Sequence, residues 1–369
     1  MKYVLNKERL EPLDIILTKD KNLISKGIRL LTQGDYSHAL IYMSSFSAIE
    51  ATRDGRVFSE NIQRLIFDTL DTCKVLRYKG QLTKEQRGRI DYYARSQVTT
   101  LYSVKEAIRV KALGKKDVSA MERTQFCSRL VAQAYSFADL DLTHNANYCS
   151  PQDLNNSELL FEVKDVLREA TDWEVKFSAT SSPIKENAKQ LYEWLDKVAE
   201  LAKKEKTDIL SQSDAEKFII NYPKYDGEVC SYILNTNYLN FYDNDEKINP
   251  ARYNFDPMVN LDIVSEFELC VSNTQRFLIN FARGKSIFLE TALKYYELQV
   301  KLFENLLDQC VKHLNVIIQY TMASIDKESD LQKKAHMYIY KLQMDKLAKA
   351  IKNARDEEGY LAYIQPDLI

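Results

Sequence analysis

Strand-forming patterns end about halfway along this chain, and that asymmetry constrains its fold more than any other feature. Short apolar runs typical of strands occupy residues 14–17, 38–43, 48–51 and 73–78. Beyond residue 183 the apolar residues recur at helical spacing instead. The sequence therefore predicts an α+β first half with a small antiparallel sheet, followed by an all-α second half.

Helical spacing is predicted in both halves. In the first half it covers residues 22–32, 84–95, 104–113 and 125–137, and Ser150 with Pro151 should start a further short helix. In the second half it covers residues 187–204, 259–282, 286–323 and 331–355, whereas the proline-containing stretch 222–257 is expected to be irregular. Long amphipathic helices need partners for their apolar stripes, which predicts an antiparallel bundle or hairpin.

A small, polar segment at residues 178–183 predicts a linker between the two halves. The 369 residues suffice for two ordinary hydrophobic cores. We therefore expect one domain at residues 1–178 and a helical domain at residues 184–369.

Composition narrows the functional classes. The 51 basic residues nearly offset the 53 acidic ones, so the charge balance gives no reason to expect a nucleic-acid partner and does not indicate membrane contact. Six cysteines without close spacing favour free thiols in a reducing compartment. The sequence shows neither a signal-peptide pattern nor an apolar run of about 20 residues, so we expect a cytoplasmic protein, with export by a specialised secretion system left open.

Two residues suggest covalent chemistry. His38 stands at the beginning of an apolar strand, and Cys127 falls in the first turn of a predicted helix for which Thr124 is the candidate N-cap. A helix N-terminus favours an anion, so the thiolate should form more easily there. A nearby imidazole would lower the thiol pKa further and could protonate a leaving group.

Glu50 is the candidate third member of this site. If Ser44, Ser45 and Phe46 form a three-residue hairpin loop, Leu40 pairs with Glu50, and Glu50 lies diagonally from His38 on the same face. The carboxylate would then orient the imidazole. The predicted roles are nucleophile for Cys127, general base and acid for His38, and orienting group for Glu50.

Simpler interpretations exist for each residue. Cys127 and His38 could be packing residues, and Glu50 a charge beside Arg53. We expect no metal or cofactor, because His144 and Cys149 lack a second ligand pair. The other cysteines are interpreted as packing residues: Cys73, Cys230, Cys270 and Cys310. The sequence 284–286, Gly-Lys-Ser, lacks the first glycine of a phosphate-binding loop and is interpreted as a helix break.

The order of these motifs resembles a known family. Residues 34–38 (GDYSH), 49–57 (IEATRDGRV), 126–128 (FCS) and 149–154 (CSPQDL), with the opening strand at 13–17, are similar to the circularly permuted NlpC-type papain-fold hydrolases of the YiiX/YebB-like group. The resemblance covers the first half of the chain. It implies a papain-like core and the hydrolysis or transfer of an acyl group from an amide, ester or thioester. It also suggests Tyr36 and Tyr135 as site-lining residues.

Three functions follow as hypotheses. The first is a thiol-dependent hydrolase or acyl transferase that cleaves an amide bond in a peptidoglycan-type peptide or acyl-amino compound. The second is a lipid-directed phospholipase or acyltransferase, and the third is a non-catalytic binding or regulatory module. The helical half shows no recognisable chemistry. We expect it to mediate oligomerisation, protein binding, substrate selection or autoinhibition, and we interpret its charged faces as solvated.

Overall fold

The computed structural model describes residues 1–19, 35–44, 46–52, 55–102, 124–256, 262–356 and 358–364. The predicted helices at 22–32 and 104–113, together with Gly34, Ser45 and Arg53, lie outside the described residues. The chain forms two compact units. The first comprises Met1–Leu195 with Ala202–Ala215, and the second comprises Asp196–Leu201 with Glu216–Ile369.

A six-stranded antiparallel sheet organises the first unit, which confirms the α+β prediction. Its strand order is β5-β4-β3-β2-β6-β7, and β1 and β8 form a separate antiparallel pair. All four predicted strands are present, whereas β1, β5, β7 and β8 were not predicted: β1 has only three residues, and β5, β7 and β8 are short and mix polar with apolar residues. The strands are β1 Tyr3–Leu5, β2 Ile15–Thr18, β3 His38–Ser44, β4 Ser47–Ala51, β5 Val57–Asn61, β6 Cys73–Tyr78, β7 Leu160–Val163 and β8 Leu167–Glu169.

Both faces of the sheet are covered. One face packs against helices α1 (Lys84–Ser96) and α2 (Cys127–Ser136) and contributes Ile15, Leu17 and Ile41 to the core. Because side chains alternate along a strand, Ile16, Leu40, Tyr42 and Val75 point to the opposite face. There they meet a second apolar cluster that includes Leu5, Leu10, Ile62 and Phe67.

Helix α2 begins later than the sequence predicts. Its N-cap is Phe126, not Thr124, and no side chain caps the helix. The preceding residue, Gln125, is extended, because its N–H donates to the Leu101 carbonyl at 2.9 Å. Its amide also donates to the side chain of Gln97 at 2.8 Å. This non-local pairing makes Cys127 the first residue of α2.

Further helices complete the first unit and lead into the second. Helix α3 (Pro151–Asn155) starts with the predicted Ser150 cap, and it is followed by α4 (Asp172–Ser178), α5 (Pro183–Ala202) and α6 (Gln212–Asn221). The segment predicted as a linker joins α4 to α5, and Arg64 donates to the Thr180 carbonyl at 2.7 Å. The domain boundary at residues 178–184 stays a prediction.

Helices make up the second unit, as predicted. They are α7 (Asp226–Leu234), α8 (Asp245–Ile248), α9 (Ile263–Thr291), α10 (Lys294–Lys327) and α11 (Leu331–Arg355). The prediction that residues 222–257 are irregular is wrong for α7. Asp226 of that helix caps α10, because its carboxylate accepts hydrogen bonds from the backbone N–H groups of Lys294 and Tyr295 at 2.8 and 2.9 Å.

The predicted helix break at residues 284–286 is also wrong. Helix α9 continues through Gly284 to Thr291, and its C-cap Ala292 adopts a left-handed conformation with φ 55°. Gly284 is buried, and a side-chain carbon there would lie 3.6 Å from Val300 of α10. The glycine therefore marks a close helix–helix approach, and the turn of the hairpin lies eight residues later. None of the helices in the described part of the chain is both long and apolar enough to cross a bilayer.

Candidate active site

His38 and Glu50 meet at one end of the sheet. His38 is the first residue of β3, and Glu50 pairs with Leu40 in the register that the sequence predicts. The register shifts between Tyr42 and Ser44, so a bulge replaces the simple three-residue loop. The Nε2 atom of His38 lies 2.5 Å from Oε2 of the buried Glu50. Because Nε2 contacts Glu50, Nδ1 is the imidazole nitrogen that remains available for Cys127.

Cys127 completes the cluster from the other side. The thiol interacts with the His38 imidazole and with the backbone N–H groups of Ala39 and Ser128, and all three lower its pKa. Ser128 lies in the first turn of α2, where backbone N–H groups have no partner within the helix. Because no side chain caps the helix, the backbone N–H of Ser128 is available to the sulfur of Cys127. The structure brings Cys127, His38 and Glu50 together in one cluster, in which His38 interacts with both the thiol and the carboxylate.

The protonation states favour an ion pair. Burial alone would raise the pKa of Cys127, but the charge and hydrogen bond of His38 and the two backbone donors outweigh it, so the pKa is lowered. Burial would lower the pKa of His38, yet the Cys127 thiolate and Glu50 raise it to about 10. Each group therefore favours the charged form of the other, which is the condition for a thiolate–imidazolium pair.

Other buried thiols in the same unit behave in the opposite way. Burial raises the pKa of Cys73 to about 12, and burial together with the nearby Asp153 and Cys127 raises that of Cys149 to about 12. No imidazole is among the groups that shift the pKa of either thiol. Cys127 thus differs from an ordinary packing cysteine in its partners and not in its burial.

A second buried carboxylate stands next to the cluster, and the sequence analysis missed it. Glu60 of β5 pairs with Ala48, so it shares a face with Glu50. Burial and the charge of Glu50 raise its pKa, while Lys185 of α5 opposes this effect. The Lys185 ammonium lies 3.1 Å from Glu60. The alternation of Phe58 and Glu60 could have suggested the shared face, but no local signal points to Lys185.

Hydrogen bonds tie the start of α2 and the residue Asp35 before β3 to neighbouring loop and helix residues. Ser128 donates to the Cys149 carbonyl at 2.8 Å, and the fully buried Arg129 donates to the carbonyls of Asn147 and Thr124. The N–H of Asp35, close before β3, donates to the side chain of Gln152 at 2.9 Å. These bonds hold the segments that carry His38 and Cys127 in place.

The two tyrosines suggested by the resemblance lie in different surroundings. Tyr36 is buried two residues before His38, with the ammonium groups of Lys19 and Lys74 each 5.6 Å from its ring centroid. Tyr135 lies two turns after Cys127, and its hydroxyl donates to the Leu13 carbonyl at 2.7 Å. Leu13 adjoins the end of β3 opposite to His38. The structure therefore does not bring the Tyr135 hydroxyl to the cluster.

The side chains offer acid–base and nucleophilic chemistry. Within the described ranges, no group of three or more histidine, cysteine or acidic residues is arranged to hold a metal ion. The cluster supplies a thiolate, a proton on the neighbouring imidazole and a carboxylate that holds that imidazole. Those are the elements of covalent acyl chemistry.

Comparisons with known proteins add a weak likeness to a solved structure. No protein-family model matches the chain, and no curated protein matches it. Among solved structures, the chain is similar to one titled as the metalloprotein yiiX from Escherichia coli O157:H7, DUF1105. The identity is 20%, the match covers 42% of this chain and 97% of that chain, and the TM-score is 0.32.

Proposed function

We propose that this protein is a cysteine hydrolase with a permuted, NlpC-type papain-like domain. Cys127 is the nucleophile, His38 the general base and acid, and Glu50 the group that orients the imidazole. The observation that carries the proposal is the contrast among buried thiols: the pKa of Cys127 is lowered by an imidazole, whereas those of Cys73 and Cys149 are raised.

The reaction proceeds in two balanced steps. The Cys127 thiolate forms a bond to the acyl carbon, and the proton on His38 Nδ1 passes to the leaving nitrogen as the amide bond breaks. His38 then takes a proton from water, and the resulting hydroxide attacks the thioester. The acid is released, and the proton returns the site to its thiolate–imidazolium state. Glu50 keeps Nε2 protonated and stabilises the positive charge throughout.

The substrate in this proposal is an amide bond of a peptidoglycan-type peptide or acyl-amino compound, and no cofactor takes part. The protein acts in the cytoplasm unless a secretion system exports it. A phospholipid ester is the second substrate class, because the same thiolate would attack it in the same way.

A search for a covalent acyl adduct tests the proposal. The full chain is incubated with peptidoglycan fragments and, in parallel, with phospholipids, followed by intact-mass measurement and peptide mapping. We expect an adduct on Cys127 that is absent from Cys127→Ala and retained in Cys310→Ala. An adduct formed only with lipids would change the substrate class. No adduct at Cys127, combined with no preferential alkylation of that thiol, would refute the hydrolase.

A further inference from the structure

Helix α11 presents basic and apolar residues outward along the same face. It contains six lysines and one arginine but a single acidic residue, Asp345, in a chain with a formal net charge of −2. Asp345 is already paired with Lys341 at 2.8 Å. Among the described residues, no ion pair involves the other five lysines, which are Lys333, Lys334, Lys346, Lys349 and Lys352. This part of the chain therefore carries uncompensated positive charge.

The inner face of α11 is already used. Met344, Ile351 and Ala354 are buried in the core that α9 and α10 form, with Tyr340 and Leu347 beside them. Residues three and four apart lie on one helix face, so these positions define a continuous packed stripe. Any further partner must contact the opposite side of the helix.

That opposite side exposes bulky apolar residues. Tyr338, Ile339 and Leu342 are 49%, 51% and 59% exposed. Spacings of three and four residues connect them with Ala335 and continue to Lys346 and Lys349. We call this surface the α11 outer face, defined by Ala335, Tyr338, Ile339, Leu342, Lys346 and Lys349. Exposed apolar residues bordered by unpaired lysines indicate an interaction surface.

We propose that the α11 outer face binds the surface of an anionic lipid bilayer. Lysine stems can lie along apolar surface while their ammonium groups reach lipid phosphates and carboxylates. Tyrosine suits the boundary between headgroups and acyl chains. Asp330, the acidic residue at the start of the helix, is its N-cap and accepts hydrogen bonds from the N–H groups of Gln332 and Lys333, so it lies at the helix end and not on the α11 outer face.

Two other occupants fit the surface less well. A specific protein interface is generally depleted in lysine and enriched in arginine. The charged residues of the α11 outer face are both lysines. A second copy of the same face would bring like charges together, which is unfavourable. The bilayer matches both the sign of the charge and the small apolar area, and the binding should be reversible.

Co-sedimentation of the full chain with vesicles tests this proposal. We expect binding to phosphatidylcholine vesicles that contain phosphatidylserine, weak binding to phosphatidylcholine alone, and weaker binding as salt concentration rises. Lys346→Gln combined with Lys349→Gln should reduce affinity by about 25-fold, from about fivefold per lysine. The matched control, Lys79→Gln with Lys84→Gln, removes the same charge from exposed positions elsewhere and should bind normally.

The apolar part of the surface has its own variant. Leu342→Ser should weaken vesicle binding by about tenfold, whereas Leu289→Ser should not. Leu289 is a suitable control because it is 62% exposed on α9, close to the 59% of Leu342. The proposal would be overturned if vesicle affinity were the same with and without phosphatidylserine, or if test and control variants bound equally. Self-association lost in Leu342→Ser without vesicle binding would assign the face to a second copy.

Discussion

The two units each contain a cysteine, a histidine and a glutamate in close proximity, yet only one set forms a candidate active site. In the first unit these are Cys127, His38 and Glu50. In the second unit Cys310 and His313 lie one turn apart on α10, and His313 Nε2 is 3.1 Å from Glu266 of α9. The same three residue types therefore occur in two settings whose contacts differ.

The difference lies in what the sulfur contacts. Cys127 starts a helix, and an imidazole and two backbone N–H groups lower its pKa. Cys310 lies in the middle of α10 and is hydrogen-bonded to the Cys270 thiol, which lowers its pKa and raises that of Cys270. Burial opposes ionisation of Glu266, but His313 and Arg252 hold its pKa at about 2. In the second unit His313 contacts Glu266, and the groups that shift the pKa of Cys310 are Cys270, Thr274, Arg276 and Asp245 together with burial, not an imidazole.

Substitution of the nucleophile or the base should have the largest effect on activity and should distinguish the two units most clearly. Cys127→Ala and His38→Ala should each reduce hydrolysis of the true substrate by at least about ten-thousand-fold, because nucleophile and base act as one unit. Cys310→Ala should keep full activity, and circular dichroism should show that all three variants fold. Substantial turnover by Cys127→Ala would mean that the thiol is not the nucleophile.

Glu50→Gln should have the next largest effect. A neutral amide can hold the ring but stabilises the imidazolium less, so we expect a loss on the order of a hundredfold in kcat. The matched variant, Glu266→Gln, removes the corresponding carboxylate of the second unit and should leave kcat unchanged. If Glu50→Gln kept full activity, another group would have to orient His38.

Thiol alkylation compares the reactivity of the cysteines in the two units and requires no known substrate. Limited iodoacetamide treatment near neutral pH, followed by peptide mapping, should label Cys127 before the other cysteines. His38→Ala should slow this labelling about tenfold for each unit by which the thiol pKa rises. Earlier labelling of Cys73 or Cys149 would count against the assignment.

The two reactions should also depend differently on pH. Alkylation should rise as Cys127 loses its proton, below the ordinary range of a thiol, and then stay constant. Acyl transfer should rise over the same range and fall as the pH passes about 10, where His38 loses the proton needed by the leaving group. Matching profiles at high pH would remove His38 as the acid.

Lys185→Met should have the smallest effect. Its ammonium partly offsets the two neighbouring carboxylates Glu50 and Glu60, but the side chain is 55% exposed and solvent screens it. We expect a loss of about threefold in kcat and a shift of the acidic limb of the pH profile to higher pH. The control is Lys189→Met on the same helix, which removes an exposed ion pair with Glu186. Equal effects of the two variants would show that Lys185 does not act on the site.

The strand pairing and the helix positions that depend on local residue spacing could be predicted from the sequence. The assumed hairpin loop at residues 44–46 predicted the pairing of Leu40 with Glu50, and therefore placed Glu50 diagonally from His38; the pairing is present although a bulge alters the loop. Helical periodicity identified the α-helical second half and the helix that carries Cys127.

Contacts between distant segments decided the rest. Pairing of Gln125 with Leu101 set the start of α2, and Gly284 packs against Val300 inside a helix that the sequence predicts to break. Neither contact leaves a periodic signal, because each depends on residues far apart in the chain. The same is true of the Lys185–Glu60 ion pair and of the backbone N–H that Ala39 directs to Cys127. Tertiary packing also determined which side of α11 remains exposed, since a helix with apolar residues on two faces can bury only the one that its neighbours cover.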